Sequence, residues 1–336
     1  MLQARLYPHI PVRAAVLQIQ ARQKARQKLP HWWAQPGVLM PPPLSVEQAS
    51  SEETARYKAR LLYQRWQQAG PEQGNQLADL TGGMGLDSWA FSQHFEQVAY
   101  VEQQQELSQL AAYNFGQLGS SNISVYSLTA EAFLQQLKNP FAVLYLDPHR
   151  RDDAKNKVVR LQDCQPNVVA LLPLLLQKAR QVWVKASPML DIKGALAELQ
   201  QQAAEVQVVA LRGEVKELLF RLEREQEPDP LITAVNLPAE GEAALFSFRY
   251  SEEVRSAPLT ALPGQYLYDP GAAVRKAGAF KLPAERFGLK KLHPHSHLYT
   301  ADQLVPHFPG RSFRLQAISR ADKRSWAGCC PGGGCT

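Results

Sequence analysis

Cysteine is nearly absent from the body of this 336-residue chain: of four, Cys329, Cys330 and Cys335 crowd into the last eight positions and Cys164 stands alone. That distribution excludes a disulfide framework. Cys-Cys-x4-Cys is not a zinc spacing either, so no metal is expected. Long apolar runs are also missing. The longest, residues 168–176, is interrupted by Pro173 and falls far short of the roughly 20 residues that cross a bilayer. The N-terminus lacks the basic, apolar, small-residue order of a secretory signal, so the expectation is a cytoplasmic protein with no membrane partner. Acid is missing from residues 1–46, which hold Arg5, Arg13, Arg22, Lys24, Arg26 and Lys28 and then the pair Trp32 and Trp33. Cations beside aromatic rings are what a nucleic-acid strand needs. The same residues also describe a solvated helix docked by its tryptophans, and sequence alone leaves both readings open.

What is present is an ordinary globular composition, 45% hydrophobic with net charge +6. Helix is predicted over 12–28, followed by an extended stretch forced by Pro30, Pro36 and Pro41-Pro42-Pro43. Ser50-Ser51-Glu52-Glu53 reads as a capping box that opens a helix to about residue 68. From residue 75 short β-rich runs (76–80, 97–101, 123–126, 141–146, 181–185, 206–211, 215–222) alternate with helical stretches at 86–95, 103–117, 128–138 and 191–204. Such alternation predicts an α/β fold, a mostly parallel sheet with helices on both faces. Later runs at 231–237 and 244–250 have little helix between them, so the end of the sheet is expected to be antiparallel. Composition shifts after Arg255 to a Pro- and His-rich stretch. The expected division is a helical extension (1–70), the α/β domain (71–255), a small α+β unit (256–320) and a disordered tail (321–336).

The chemistry concentrates at Ala78-Asp79-Leu80-Thr81-Gly82-Gly83-Met84-Gly85-Leu86-Asp87. Glycines let backbone pass under a ligand, yet a carboxylate stands at each end of this turn. Dinucleotides and triphosphates bring negative charge, which Asp79 and Asp87 repel. Ser88 occupies the place of the dinucleotide fingerprint's third Gly, and no Gly-Lys-Ser/Thr follows as in a P-loop. The pattern suits a cationic cofactor, S-adenosylmethionine (SAM), held by Asp79, Thr81, Gly82, Gly83, Gly85 and Asp87.

Ligands of open α/β sheets lie at the carboxyl ends of strands. Glu102 ends the second strand, where a carboxylate can accept both ribose hydroxyls. After the third strand Thr129 is a cofactor contact or the N-cap of the next helix. The fourth delivers Asp147-Pro148-His149-Arg150-Arg151-Asp152: Asp147 can orient or deprotonate an acceptor, Pro148 stiffens the turn, His149 follows, and Arg150 and Arg151 can fork onto phosphate oxygens. The fifth strand ends in Lys185-Ala186-Ser187-Pro188, where Lys185 and Ser187 can face substrate. Cys164 has no identifiable base beside it and is read as a passive thiol.

Together these residues resemble the class I SAM-dependent methyltransferase superfamily. More narrowly they resemble a bacterial family of methyltransferase-like proteins with a THUMP-like C-terminal domain. The likeness runs through Lys28-Leu29-Pro30-His31-Trp32, Glu47-Gln48-Ala49-Ser50-Ser51, the glycine turn, the Asp147 motif, Asp163-Cys164-Gln165-Pro166-Asn167, the Lys185 motif and Gly213-Glu214-Val215-Lys216-Glu217-Leu218. The 266–311 segment is similar to that family's ferredoxin-like module. The resemblance implies a Rossmann-like methyltransferase sheet, SAM as cofactor, and structured RNA as the substrate class, since families with THUMP-type modules act on RNA. The unorthodox Asp147-Pro148-His149-Arg150 sequence keeps an alternative open, an RNA-binding protein that retains the fold without turnover. His149 and Arg150 stand where amino-methyltransferases of the superfamily carry a second proline and an aromatic. No cysteine follows the fifth strand as in uracil-C5 enzymes, and the THUMP-like domain is cut short after Ile318.

Overall fold

The computed structural model describes residues 11–70, 74–150, 160–224, 228–239 and 241–318. Arg151, the side chain of Arg150 and the 321–336 tail lie outside them.

Four helices lead into the domain: α1 (Val12–Lys28), α2 (Pro30–Ala34), α3 (Pro43–Gln48) and α4 (Glu52–Gln68). Proline begins α2 and α3, where its missing N–H is no loss. α1 buries only Ala21 and Ala25, and polar side chains fasten it instead. Gln18 exchanges hydrogen bonds with the backbone of Met40, and Arg22 donates to the carbonyls of Trp33, Gln35 and Val38. α4 is capped by Ser51, which accepts from Thr54 N at 3.2 Å, one residue later than the Ser50 box predicts. Ser50 has another partner, described below.

The main domain runs β1 (Gln76–Asp79), α5 (Leu86–Ser92), β2 (Gln97–Val101), α6 (Gln105–Gln117), β3 (Ile123–Tyr126), α7 (Ala130–Gln136) and β4 (Phe141–Leu146). The short pair β5 (His149–Arg150) and β6 (Cys164–Gln165) follows, then α8 (Val168–Lys178), β7 (Ala179–Ala186), α9 (Ile192–Glu198), β8 (Ala203–Leu211), β9 (Glu214–Leu222), β10 (Leu231–Leu237) and β11 (Ala244–Phe248). Among the described residues nine strands form one sheet in the order β11-β10-β8-β9-β7-β4-β1-β2-β3. From β3 to β7 every pairing is parallel. Side chains alternate between faces: Leu144 and Leu146 join one core, Val143 and Tyr145 the other. α4 and α5 cover the second face, α8 and α9 the first.

The apolar 168–176 run, to which the sequence reading assigns no element, forms α8 with Pro173 inside it. Its length and four buried aliphatic residues outweigh the one backbone bond that proline forgoes. The far end of the sheet is not wholly antiparallel. Arg212 and Gly213, at φ 53° and 83°, make the tight turn that folds β9 back between β7 and β8, antiparallel to both. The chain then starts β10 from the opposite edge, so β10 docks on the free side of β8 running in the same direction. β11 then returns antiparallel to β10.

Beyond α10 (Tyr250–Arg255), the elements β12 (Tyr266–Pro270), α11 (Ala272–Ala277), α12 (Leu282–Arg286), β13 (Lys290–Lys291), β14 (Tyr299–Ala301) and β15 (Gly310–Arg314) build a second sheet, β13-β14-β12-β15. Its core holds Tyr268, Ala284, Leu289, Tyr299 and Phe308. Ala273, Val274 and Ala277 of α11 belong instead to the core of the large sheet.

Candidate active site

β1 lies between β2 and β4, so its carboxyl end opens at the middle of the five parallel strands β3 to β7. The glycine turn there is tight for steric reasons. A Cβ on Gly82 would meet the ring of buried Tyr100 at 2.2–2.8 Å, and one on Gly85, at φ 90°, would meet Phe115 at 2.7 Å. The Tyr100 hydroxyl donates to Gly83 O at 2.6 Å and Gly82 N donates to Val101 O at 2.8 Å, pinning the loop onto β2.

Asp79 is 1% exposed. It accepts from Thr81 N at 3.1 Å and from the Ser88 hydroxyl at 2.6 Å, and among the described residues it has no cation beside it. Burial pushes its carboxyl up to about 7, with the neighbouring charges of Asp87 and Asp147 acting the same way against those two hydrogen bonds. Asp87 is different. Its carboxylate meets Lys58 Nζ at 3.3 Å and accepts from Tyr145 at 2.9 Å and Ser50 at 3.1 Å. Burial opposes its ionisation, but Lys58 and Lys185 outweigh burial and hold it below the usual carboxylate range. Lys58, fully buried on α4, also binds Ser50 Oγ at 2.8 Å and Glu217 of β9 at 2.9 Å. Of the two acids framing the turn, only Asp79 is left without an opposite charge.

Glu102 accepts from Gly83 N at 3.0 Å and Gln104 N at 2.8 Å, which aims its carboxylate over the turn. Asp147 ends β4, with its amide bonded to Thr81 Oγ1 at 2.6 Å. Its carboxylate pairs with Lys185 of the adjacent strand β7. Burial lowers the Lys185 pKa, yet the carboxylates of Asp147, Glu217 and Asp87 more than offset this and raise it above the ordinary lysine value. Thr129 caps α7, accepting from Ala132 N at 3.2 Å. Ser187 turns its hydroxyl to Met189 N at 3.2 Å. Cys164 is buried and donates to Arg160 O at 3.4 Å.

All of these strand ends open into one cleft of about 910 Å³, at the top of the usual range for a small-molecule site. Asp79, Thr81, Gly82, Gly83, Asp87, Glu102, Thr129, Asp147, Pro148, His149, Lys185 and Ser187 line it, and Gly85 shapes the turn from behind. Sequence reasoning missed a wall made by α3 and its exit, with Leu44, Ser45, Gln48 and Ser50, together with Leu107, Leu128, Gln165, Pro166 and Lys216. The 47–51, 163–167 and 213–218 motifs were the available signal, though nothing in them names a role. Among the described residues no group of three or more His, Cys, Asp or Glu side chains could hold a metal ion.

A Rossmann-like sheet with an acid-flanked glycine turn in the middle of its parallel half is the frame of a ligand-binding open α/β protein. A solved structure from Porphyromonas gingivalis W83, described as a putative methyltransferase, is 34% identical to this chain, covering 92% of it and 76% of the other chain with a TM-score of 0.81. Residues 266–309 match the family model of a ferredoxin-like domain. The chain belongs to the class I SAM-dependent methyltransferase superfamily, in the family that the P. gingivalis protein represents. An rRNA methylase from Streptococcus thermophilus is 14% identical, covers 50% of this chain and 96% of its own, and has a TM-score of 0.37. At that distance it bears on nothing further. Curated proteins give no match.

Proposed function

We propose that the protein binds SAM at the β1–β2 end of the cleft and transfers its methyl group directly to a nucleophilic nitrogen or oxygen of RNA at the Asp147 end. The observation that carries the reading is Asp79, a buried carboxyl lifted by desolvation and lacking a cation, set in a turn too tight for any side chain at positions 82 and 85. A ligand ammonium there would supply the missing charge. Glu102, poised over the turn, would accept the ribose hydroxyls. When bound, the cofactor supplies an electrophilic methyl on a sulfonium. Asp147, fixed through Thr81 and Lys185, would accept a hydrogen bond from the acceptor N–H or O–H, orient its lone pair and receive the proton that the methyl group replaces, so much of the acceleration comes from positioning.

RNA as substrate is supported by the ferredoxin-like match within the module that resembles THUMP-type RNA methyltransferases. The test is incubation with methyl-tritiated SAM and total cellular RNA. Label is expected in RNA with the wild type and lost with Asp147→Ala. Saturable SAM binding without label in RNA overturns turnover and leaves the alternative, an RNA-binding protein that retains the fold.

A further inference from the structure

The charge around the cleft is divided. On the β1–β3 side Asp79, Asp87, Glu102 and Glu131 line it, and none of the described lining residues there is Lys, Arg or His. On the β4–β9 side stand His149, Lys185 and Lys216, with Asp147 the carboxylate among them and already paired to Lys185. Lys216 reaches this position by a backbone device. Val209 pairs with Glu217 and Ala210 with Val215, so Lys216 is the extra residue of a β-bulge, the irregularity that re-aims a side chain beside a site.

Lys28, at the end of α1, does not itself line the cleft but reaches α3, whose Leu44, Ser45 and Gln48 do. Its Nζ donates to Val46 O at 3.0 Å and Glu47 O at 2.5 Å, which anchors α3 as the cleft wall and uses two of its three N–H groups. Burial lowers its pKa, and Lys185 and Lys216 lower it further, so the three ammonium groups feel one another. The nearby acids have partners of their own. Glu47 pairs with Lys24, Glu217 with Lys58, and Glu214 with Lys216 in a solvent-exposed contact that exchanges at little cost. A repulsive lysine group at the acceptor end of a cleft whose other end is acidic is arranged for an anion.

The geometry points to a phosphate subsite formed by Lys216 and Lys28 at the acceptor end, taking a backbone phosphate of the RNA strand whose nucleotide reaches Asp147. This rests on the RNA reading above. Lysines suit such a contact because a backbone phosphate adjoining a varied base needs a point charge more than a bidentate fork. The cofactor's cationic part belongs at the opposite, acidic end.

The test is fluorescence anisotropy with a labelled single-stranded RNA of about 12 nucleotides, titrated from about 50 to about 200 mM KCl. Wild type, Lys216→Gln, the Lys28→Gln/Lys216→Gln pair and the Lys28→Arg/Lys216→Arg pair are compared, with SAM affinity followed by calorimetry. With one phosphate held between the two lysines, the slope of log K against log salt should flatten by about 0.7 in the double Gln variant and by less in Lys216→Gln. The double Arg variant should keep the wild-type slope, and SAM affinity should stay within about twofold in every variant. An unchanged slope overturns the subsite. So does a fall in SAM affinity with the RNA slope intact, which would assign the lysines to the cofactor's carboxylate, and so does a wild type that binds no RNA at the lowest salt. A flattened slope in a protein that does not bind SAM would keep the subsite and discard the methyl-transfer reading.

Discussion

Cofactor binding should release a proton from Asp79. In the free protein burial holds this carboxyl at about 7, so at pH 5 about one molecule in a hundred carries the charge and at pH 7 about half do. An ammonium placed against the carboxylate favours the ionised form, so the ligand binds the charged minority and pulls the equilibrium over. Apparent affinity should therefore rise by about 50-fold, about 2 kcal/mol, between pH 5 and pH 7, below the α-amino range of about 7.7–8.0 in which the ligand itself would begin to lose charge. Calorimetry in buffers of different ionisation enthalpy should count close to one proton released at the acid end. Folding shows the opposite sign. The native state binds this proton more tightly than the unfolded chain, for which the carboxyl titrates at 3.8. The contribution to stability is thus fully present below about pH 4 and is lost as pH rises through 7. Asp79→Asn should remove both effects, giving weak binding that is flat with pH and a Tm that no longer falls over this window on that group's account. Affinity independent of pH in the wild type, or the same slope in the Asn variant, refutes the placement of the cofactor's cation at Asp79.

Two further substitutions probe how the site is built. Gly82→Ala drives a methyl to within 2.2 Å of the Tyr100 ring. It should destabilise by about 1–3 kcal/mol in denaturant titration and weaken SAM binding, with Tyr100→Leu in the same chain restoring most of the stability. Lys58→Met strands the buried carboxylates of Asp87 and Glu217 and should cost about 3–5 kcal/mol. Adding Asp87→Asn and Glu217→Gln should recover much of that, which urea unfolding would measure, whereas equal stability of the single and triple variants would show that the network is not electrostatic.

The parallel half of the sheet was legible because its strands are β-rich, β1, β2 and β4 run into an acid, and a helical stretch separates each of β1, β2 and β3 from the next. The β9 insertion was not, since 206–211 and 215–222 read as two successive strands and nothing local says that the second wedges beside β7. That placement is decided by which sheet edge remains free, a tertiary matter. In α8 the one backbone bond that Pro173 forgoes is outweighed by a buried aliphatic face, Val168, Leu172, Leu175 and Leu176. In the basic arm the sequence left two readings open, and the contacts assign Arg22 and part of Lys28 to fastening backbone carbonyls, with Trp32 fully buried. Lys28 meets the cleft only through α3, the wall it fastens.

The glycine turn shows where counting charges along a chain stops being enough. Asp79 and Asp87 look equivalent in sequence, two acids eight residues apart around a bend that repels phosphates. In the fold their roles diverge because Asp87 begins α5 under α4, where Lys58, Tyr145 and Ser50 converge on it. Its charge is spent on joining the N-terminal helices to the sheet, and Ser50 serves that joint instead of capping α4. Asp79 faces the cleft with only a backbone amide and the Ser88 hydroxyl, two neutral donors that orient the carboxylate without balancing it. Ser88, which in sequence argued only against a dinucleotide, is thus also the residue that aims the acid. On the proposed reading, selectivity for a cation comes from one carboxyl rather than two, and the low polarity that raises the cost of ionising it also strengthens its pairing with a cation once ionised.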